Sequence, residues 1–202
     1  IRDSKIVVQA LVRPGDIVLV DRDCHKSHHY GMVLAGAEVV YLDSYPLNQY
    51  SMYGAVPLKE IKHQLLALKA AGKLDRVRML LLTNCTFDGL VYNVERVMEE
   101  CLAIKPDLVF LWDEAWFAFA RFSPTYRQRT GMRTANNLRK RLRTEAHKRA
   151  YEAQQETLVD ASDETLIETR LIAPPEARIR VYATQSTHKT LTSLRQGSVS
   201  YT

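Results

Sequence analysis

The stretch ATQSTHKTL, residues 183–191, places Ser186, Thr187, His188 and Lys189 directly after the apolar run at 179–183. A lysine in such a place is ordinarily a solvated lysine. Other parts of the chain give it a second meaning. Asp113-Glu114-Ala115-Trp116 follows the apolar run at 108–112. Thr83-Asn-Cys-Thr-Phe-Asp-Gly89 follows the run at 77–82, and Asp21-Arg-Asp-Cys-His-Lys-Ser27 closes the run at 17–21. Four polar clusters thus stand where four apolar segments end. In an open α/β sheet, those ends are where ligands bind.

An amine and an acid so placed suit pyridoxal phosphate (PLP). That cofactor takes a lysine as its Schiff-base partner. It takes an acid to pair with its pyridinium nitrogen, which keeps the ring able to accept electrons from a carbanion. Lys189 is placed for the first role and Asp113 for the second. Ala115 is small enough for a flat ring to lie against the backbone. His25 offers an imidazole plane for the other face, and Ser186 and His188 can bond phosphate oxygens. Each residue also has a plainer reading. Asp113 can cap a helix, His25 can be a loop histidine, and Trp116 can be core. Thr83, Asn84 and Thr86 can satisfy loop backbone. Glu114 reads as a local hydrogen-bond acceptor, and Cys24 and Cys85 as small buried residues.

The elements that must position these groups follow from periodicity. Apolar runs at 17–21, 38–42, 77–82, 108–112 and 179–183, with a sixth at 197–201, predict strands. The spacing predicts helices over 27–34, from Pro57 to near Gly72, and from an Asn93 cap to about Ile104. Residues 43–56 read as a loop. Strands alternating with helices predict a three-layer α/β/α domain with a mostly parallel sheet. Residues 134–158 predict one long charged helix that interrupts the alternation, and 159–178 a linker.

Composition narrows the class. The chain has 202 residues, 46% hydrophobic and 25% charged, which predicts a soluble globular domain. No apolar run approaches the roughly 18–20 residues of a membrane span. Cys24, Cys85 and Cys101 are odd in number and lack CxxC spacing. That argues against a disulfide framework or a metal site and for a reducing cytoplasm. The net charge of +5 is local. Arg133, Arg139, Lys140, Arg141, Arg143, Lys148 and Arg149 face one acid, Glu145, within 133–149. The stretch reads first as a solvated face, and second as a surface for an acidic protein or nucleic acid. Tyr151 is the only aromatic residue from 134 to 158. That argues against a nucleic-acid stacking platform. The opening Ile1-Arg2-Asp3-Ser4-Lys5 has no signal pattern, and the chain stops within a predicted strand. A piece of a longer protein is therefore expected.

The segments LVDRDCHKS (19–27), LLTNCTFDGLVYN (81–93), WDEAW (112–116) with FSPTY (122–126), and ATQSTHKTL (183–191) carry a resemblance. In this order they resemble the motifs of the bacterial ornithine/lysine/arginine decarboxylases, PLP enzymes of the aspartate-aminotransferase fold. The resemblance runs from about residue 5 to the end of the chain. It implies a ring-stacking His25, a pyridine-pairing Asp113 and a Schiff-base Lys189. Ser186 and His188 become cofactor contacts, Trp116 lies near the active site, and Thr86 and Asp88 match a motif of the cofactor domain. The implied reaction is loss of the α-carboxylate from lysine, ornithine or arginine, with Lys189 or His188 returning a proton to Cα. The implied domain is a PLP-binding large domain over 1–202. Residues 132–175 form an inserted basic helix and linker in it, since Asp113 and Lys189 stand farther apart than in the family. The resemblance also implies a homo-oligomer when intact. The family's Gly-Thr-Ser-type phosphate turn falls at Ile1-Arg2-Asp3-Ser4, where the motif is altered or cut off. Two rivals remain at this stage: another PLP enzyme of the same fold, such as an aminotransferase or lyase, and a silent domain acting through its basic insertion.

Overall fold

The structure, a computed structural model, describes residues 2–194 and 197–202. Its central strands are near-continuous apolar runs because both of their faces are covered. β1 (Ile17–Asp21) is buried at every position, and β5 (Val77–Thr83) at all but Arg78 and Thr83. β2 (Glu38–Leu42) lies outside β1 at the sheet edge and is followed by a short hairpin of β3 (Pro46–Leu47) and β4 (Met52–Tyr53), which forms a separate two-stranded sheet. β6 (Val109–Asp113), again buried throughout, β7 (Arg180–Ser186) and β8 (Ser198–Tyr201) complete the main sheet. Among the described residues its order is β2-β1-β5-β6-β7-β8. Pairing is parallel as far as β7 and antiparallel at β8.

Alternate residues of each strand feed two cores, because successive side chains point to opposite faces. On one face Val18, Val20, Met79, Leu81, Val109 and Leu111 pack with Val7 and Val8 of α1 (Arg2–Leu11) and Met32 of α2 (Lys26–Ala35). On the other, Ile17, Leu19, Leu80, Leu82, Phe110 and Trp112 meet three helices. These are α3 (Leu58–Ala70), α4 (Val94–Ile104) and, after the single-turn α5 (Pro124–Arg127), α6 (Gly131–Arg141). The three-layer α/β/α architecture expected from the sequence is the one observed. No helix among the described residues is long and apolar enough to cross a membrane.

Three local expectations change. Residues 43–56 are not all loop, since they hold the β3–β4 hairpin. Two-residue strands are too short to show an alternating pattern. The single charged helix expected over 134–158 is two helices. Leu142, ending α6, is buried in the core, and the Thr144 hydroxyl accepts from His147 N at 3.2 Å to cap α7 (Glu145–Thr157). The expected linker carries α8 (Asp163–Glu168), capped by Ser162.

Most of the basic side chains over 133–149 are exposed, as a solvated face requires. The segment beneath them is nonetheless anchored by buried charge. Lys62 of α3 is 1% exposed. Its ammonium donates to Glu100 at 2.7 Å and to the carbonyls of Leu166 and Thr169 at 3.0 and 2.8 Å. Arg141 reaches Glu99 at 2.8 Å, and His147 Nε2 donates to the Ala173 carbonyl at 2.8 Å. Removing Lys62 would leave the buried Glu100 with the half-exposed Arg96 as its remaining cation and take a donor from two carbonyls. Lys62→Met should therefore lower unfolding stability by about 3 kcal/mol in a denaturant melt. A loss below about 1 kcal/mol would show that this anchor is dispensable.

Candidate active site

The chain leaves β1 for β2 on one side and resumes with β5 on the other. That reversal opens a crevice beyond the carboxyl ends of β1 and β5, the usual ligand position in such sheets. A cavity of about 240 Å³ lies there. Its walls include Asp21 at the end of β1, Thr83 at the end of β5 and Asp113 at the end of β6. His25, Thr86, Ala115, Trp116 and Lys189 complete the part anticipated from the sequence.

Each of these side chains is held by its local fold. Asp113 is buried, which raises its pKa, but its neighbours outweigh burial. His28 Nε2 lies 3.0 Å from Oδ2, the Ala115 N–H donates to Oδ1 at 3.0 Å, and the charge of Lys189 adds to them. The net effect holds Asp113 below the usual carboxylate range. Lys189 sits in α9 (Thr187–Thr190), immediately behind β7, with Nζ 4.8 Å from the centre of the Trp116 ring. Burial lowers its pKa against the opposing pull of Asp113. A lowered pKa gives more of the free amine, the form that attacks a carbonyl. His25 caps α2, its Nδ1 accepting from Ser27 N at 3.2 Å. Burial also holds its pKa below the ordinary imidazole value, which favours a neutral ring. Phe87 packs edge-on against Trp116, with ring centres 5.4 Å apart. The Thr86 hydroxyl is committed to its own turn, accepting from Leu90 N at 3.2 Å.

Two of the expected cofactor contacts do not line this cavity. Ser186 is the last residue of β7 and lies on the same face as Thr184, whose hydroxyl meets Ser4 Oγ at 3.1 Å. The Ser186 hydroxyl is buried and has no partner among the described residues. His188 Nδ1 lies 3.1 Å from the Gly197 carbonyl. Ile1 and the side chains of Arg2 and Asp3, where the phosphate turn is expected, lie outside what the structure describes.

Sequence reasoning missed two buried groups beside Asp113. His28 signalled itself only by standing three residues after His25, on one face of α2. Asp21 stands in the sequence as one acid among several in its cluster. It accepts from Thr83 N at 2.9 Å through Oδ2, while Oδ1 has no hydrogen-bond partner among the described residues. The turn after β5 is also more constrained than its composition suggested. Cys85 lies in the left-handed region at φ 68°, a cost of about 1 kcal/mol for a residue with a side chain. Asn84 compensates by donating to Glu114 at 3.1 Å and to the Arg129 carbonyl at 3.0 Å, and by accepting from Tyr92 N at 3.2 Å. Glu114 is fully buried and acts as the acceptor its sequence suggested. It also takes bonds from Gly131 N at 2.7 Å and Gln185 at 3.1 Å. Gly131 must stay without a side chain, since a Cβ there would stand 2.7 Å from Trp112 Cδ1. A larger groove of about 550 Å³ lies beyond Glu114 and is edged by Arg121, Arg127 and Arg133. It contains none of the expected site residues.

Asp21 gives the site a measurable pH signature. Burial, first, and the charge of Asp113 push its pKa up from 3.8 to about 6, against the opposing Thr83 bonds and His28. The native state therefore binds more protons than the unfolded chain between pH 3.8 and about 6, so stability falls as pH rises through that window. Asp21→Asn keeps an acceptor for Thr83 N and removes the titration. The variant should gain on the order of 1–3 kcal/mol at pH 7 in the ligand-free protein and lose the decline between pH 4 and 6. An unchanged pH–stability profile would refute this account of Asp21.

Comparison with known proteins gives the fold a family. The profile of "Orn/Lys/Arg decarboxylase, major domain" matches residues 2–174, a span that includes His25 and Asp113 and ends before Lys189. The lysine decarboxylase LdcA of Pseudomonas aeruginosa is 36% identical over 140 residues, covering 66% of this chain and 18% of its own length. The biodegradative arginine decarboxylase of Escherichia coli K12 is 33% identical over 139 residues, covering 64% and 18%. The chain thus spans about a fifth of the length of the curated relatives it matches. The solved lysine decarboxylase A from Pseudomonas aeruginosa superposes with a TM-score of 0.61 at 31% identity, over 93% of this chain and 20% of that one. The Escherichia coli constitutive lysine decarboxylase gives 0.63 over 98% and 22%, and at 23% identity it speaks for the fold alone. With its parallel sheet, its polar clusters at the strand ends and a match to the major-domain profile over most of its length, the chain belongs to the Orn/Lys/Arg decarboxylase family.

Proposed function

We propose that this chain forms the cofactor-binding part of a PLP-dependent decarboxylase that removes the α-carboxylate of lysine, ornithine or arginine. The observation that carries the reading is the convergence of Lys189, Asp113 and His25, from three separate elements, on one cavity at the reversal of the sheet. The residues fit the ring and aldehyde ends of such a cofactor. Nζ and a carboxylate held anionic face the same space, and the buried Oδ1 of Asp21, a residue of the cavity wall, has no hydrogen-bond partner among the described residues. The relatives named above act on small basic amino acids, which supports the substrate class.

When bound, PLP supplies an electron sink for the pair left behind by departing CO2. Lys189, with its pKa lowered by burial, would hold the aldehyde end of the cofactor through its amine. Asp113, held anionic by its neighbours, would pair with the ring nitrogen and favour its protonated form. His25 presents a neutral imidazole to the ring, and Ala115 leaves space beside it. Trp116 lines the site beside Lys189, with Phe87 packed edge-on against it. Lys189, which lines the cavity, returns the proton to Cα in preference to His188, which does not. The complete protein works as a homo-oligomer in the cytoplasm, as a soluble enzyme of small-molecule metabolism.

The complete gene product mixed with PLP should show a visible absorption band, and borohydride should trap the cofactor on Lys189. Lys189→Ala should lose the band with an unchanged melting temperature and lower CO2 release by on the order of a thousandfold or more. A band that persists in that variant would remove Lys189 from its role. Release of a keto acid in place of CO2 and an amine would move the assignment to an aminotransferase.

A further inference from the structure

His28 stands beside the proposed cofactor site and takes no part in the reaction above. Its ring is fully buried and does not line the cavity. Nε2 lies 3.0 Å from Asp113 Oδ2, and this contact is the largest of those that oppose the burial of the carboxylate. Nδ1 has no hydrogen-bond partner among the described residues. A leucine would fill this place without leaving a polar atom unsatisfied, so an imidazole here costs stability unless its contact with Asp113 has a use.

Asp113 supplies that use. Burial drives its carboxyl towards the neutral form, and only a few groups oppose burial. The Ala115 N–H is one neutral dipole at 3.0 Å. Lys189 is the amine proposed to react with the aldehyde, so its charge is not a constant of the site. His28 alone is both close to the carboxylate and walled off from the ligand. The other charged or titratable groups around it are Asp21 at the end of β1 and His25 on its own helix. His25 and His28 stand three residues apart, so one short helix sets one imidazole towards the ligand and the other behind the carboxylate.

We propose that His28 is a positioning residue: from behind Asp113 it keeps the carboxylate ionised and oriented, so that Asp113 can hold the pyridine nitrogen of the cofactor protonated. The assignment rests on the PLP reading of the cavity.

The test uses the complete gene product, freed of cofactor, with 4′-deoxypyridoxine 5′-phosphate labelled with 15N in the ring. This analogue has no aldehyde, so neither Lys189 bonding nor turnover contributes. The wild-type protein should bind it with the 15N shift of a protonated ring. His28→Gln carries an amide N–H to about the reach of Nε2 and should keep that shift, with affinity within about threefold. His28→Leu should weaken binding about tenfold and move the shift towards the neutral ring. His28→Asn places its amide at the Nδ1 position, short of Asp113, and should match the leucine variant; it decides the question if His28→Leu does not melt cooperatively. Wild-type affinity and a protonated ring in whichever of these two variants folds would overturn the role of His28. If they occur while borohydride still traps PLP on wild-type Lys189, the reading of the cavity stands and only His28 falls. If the wild-type protein neither binds the analogue nor traps PLP, both fall together.

Discussion

A carboxylate buried at the end of a central strand sets the requirement that the rest of the site meets. Moving an ion out of water costs several kcal/mol unless other groups replace the lost solvation. For Asp113 those groups come from elements far apart in sequence: His28 on α2, the Ala115 amide behind β6 and Lys189 on α9. The parallel register makes the meeting possible, since Thr83 pairs with Asp113 and Asp113 with Thr184. The Asp113 carbonyl in turn accepts from Asn84 N at 2.9 Å, and Glu114 N donates to the Thr184 carbonyl at 2.8 Å. The ends of β5, β6 and β7 are thus tied into one platform.

The same constraint builds the surroundings. Glu114 faces the opposite side of the platform and is neutralised by amide donors rather than by a cation, which locks the turn after β5 to the start of α6. Glu99 and Glu100 on α4 draw Arg141, Arg96 and Lys62 to them and so seat the basic helical segment against the sheet layer. Such pairs add little net stability compared with a well-packed apolar core, but they tolerate few alternative arrangements. The basic segment therefore has a fixed underside beneath its exposed side chains.

Within the cavity, two carboxylates are pushed in opposite directions. Asp113 is held ionised by its partners, while Asp21 is pushed towards protonation by burial and by Asp113 itself. Environments that separate the pKa values of neighbouring acids commonly mark a division of labour. Here one acid suits pairing with a cationic ring, and the other suits a hydrogen bond that can be either given or received.

The sequence by itself determined the layers, because strands covered on both faces must be apolar throughout and runs such as 17–21 and 108–112 have no other stable place. It also determined that Lys189, Asp113 and His25 fall at strand ends, where the polar clusters interrupt those runs. It did not reveal the break between α6 and α7, since the burial of Leu142 depends on a core formed by distant residues. Nor could it show that Ser186 and His188 would stand outside the cavity wall while Lys189 entered it; that depends on the face to which β7 delivers each side chain and on the short α9. His28 and Asp21 were invisible as a pair for the same reason. Their meaning is electrostatic, and the electrostatics of a buried group are set by neighbours that only the tertiary structure brings within a few ångströms.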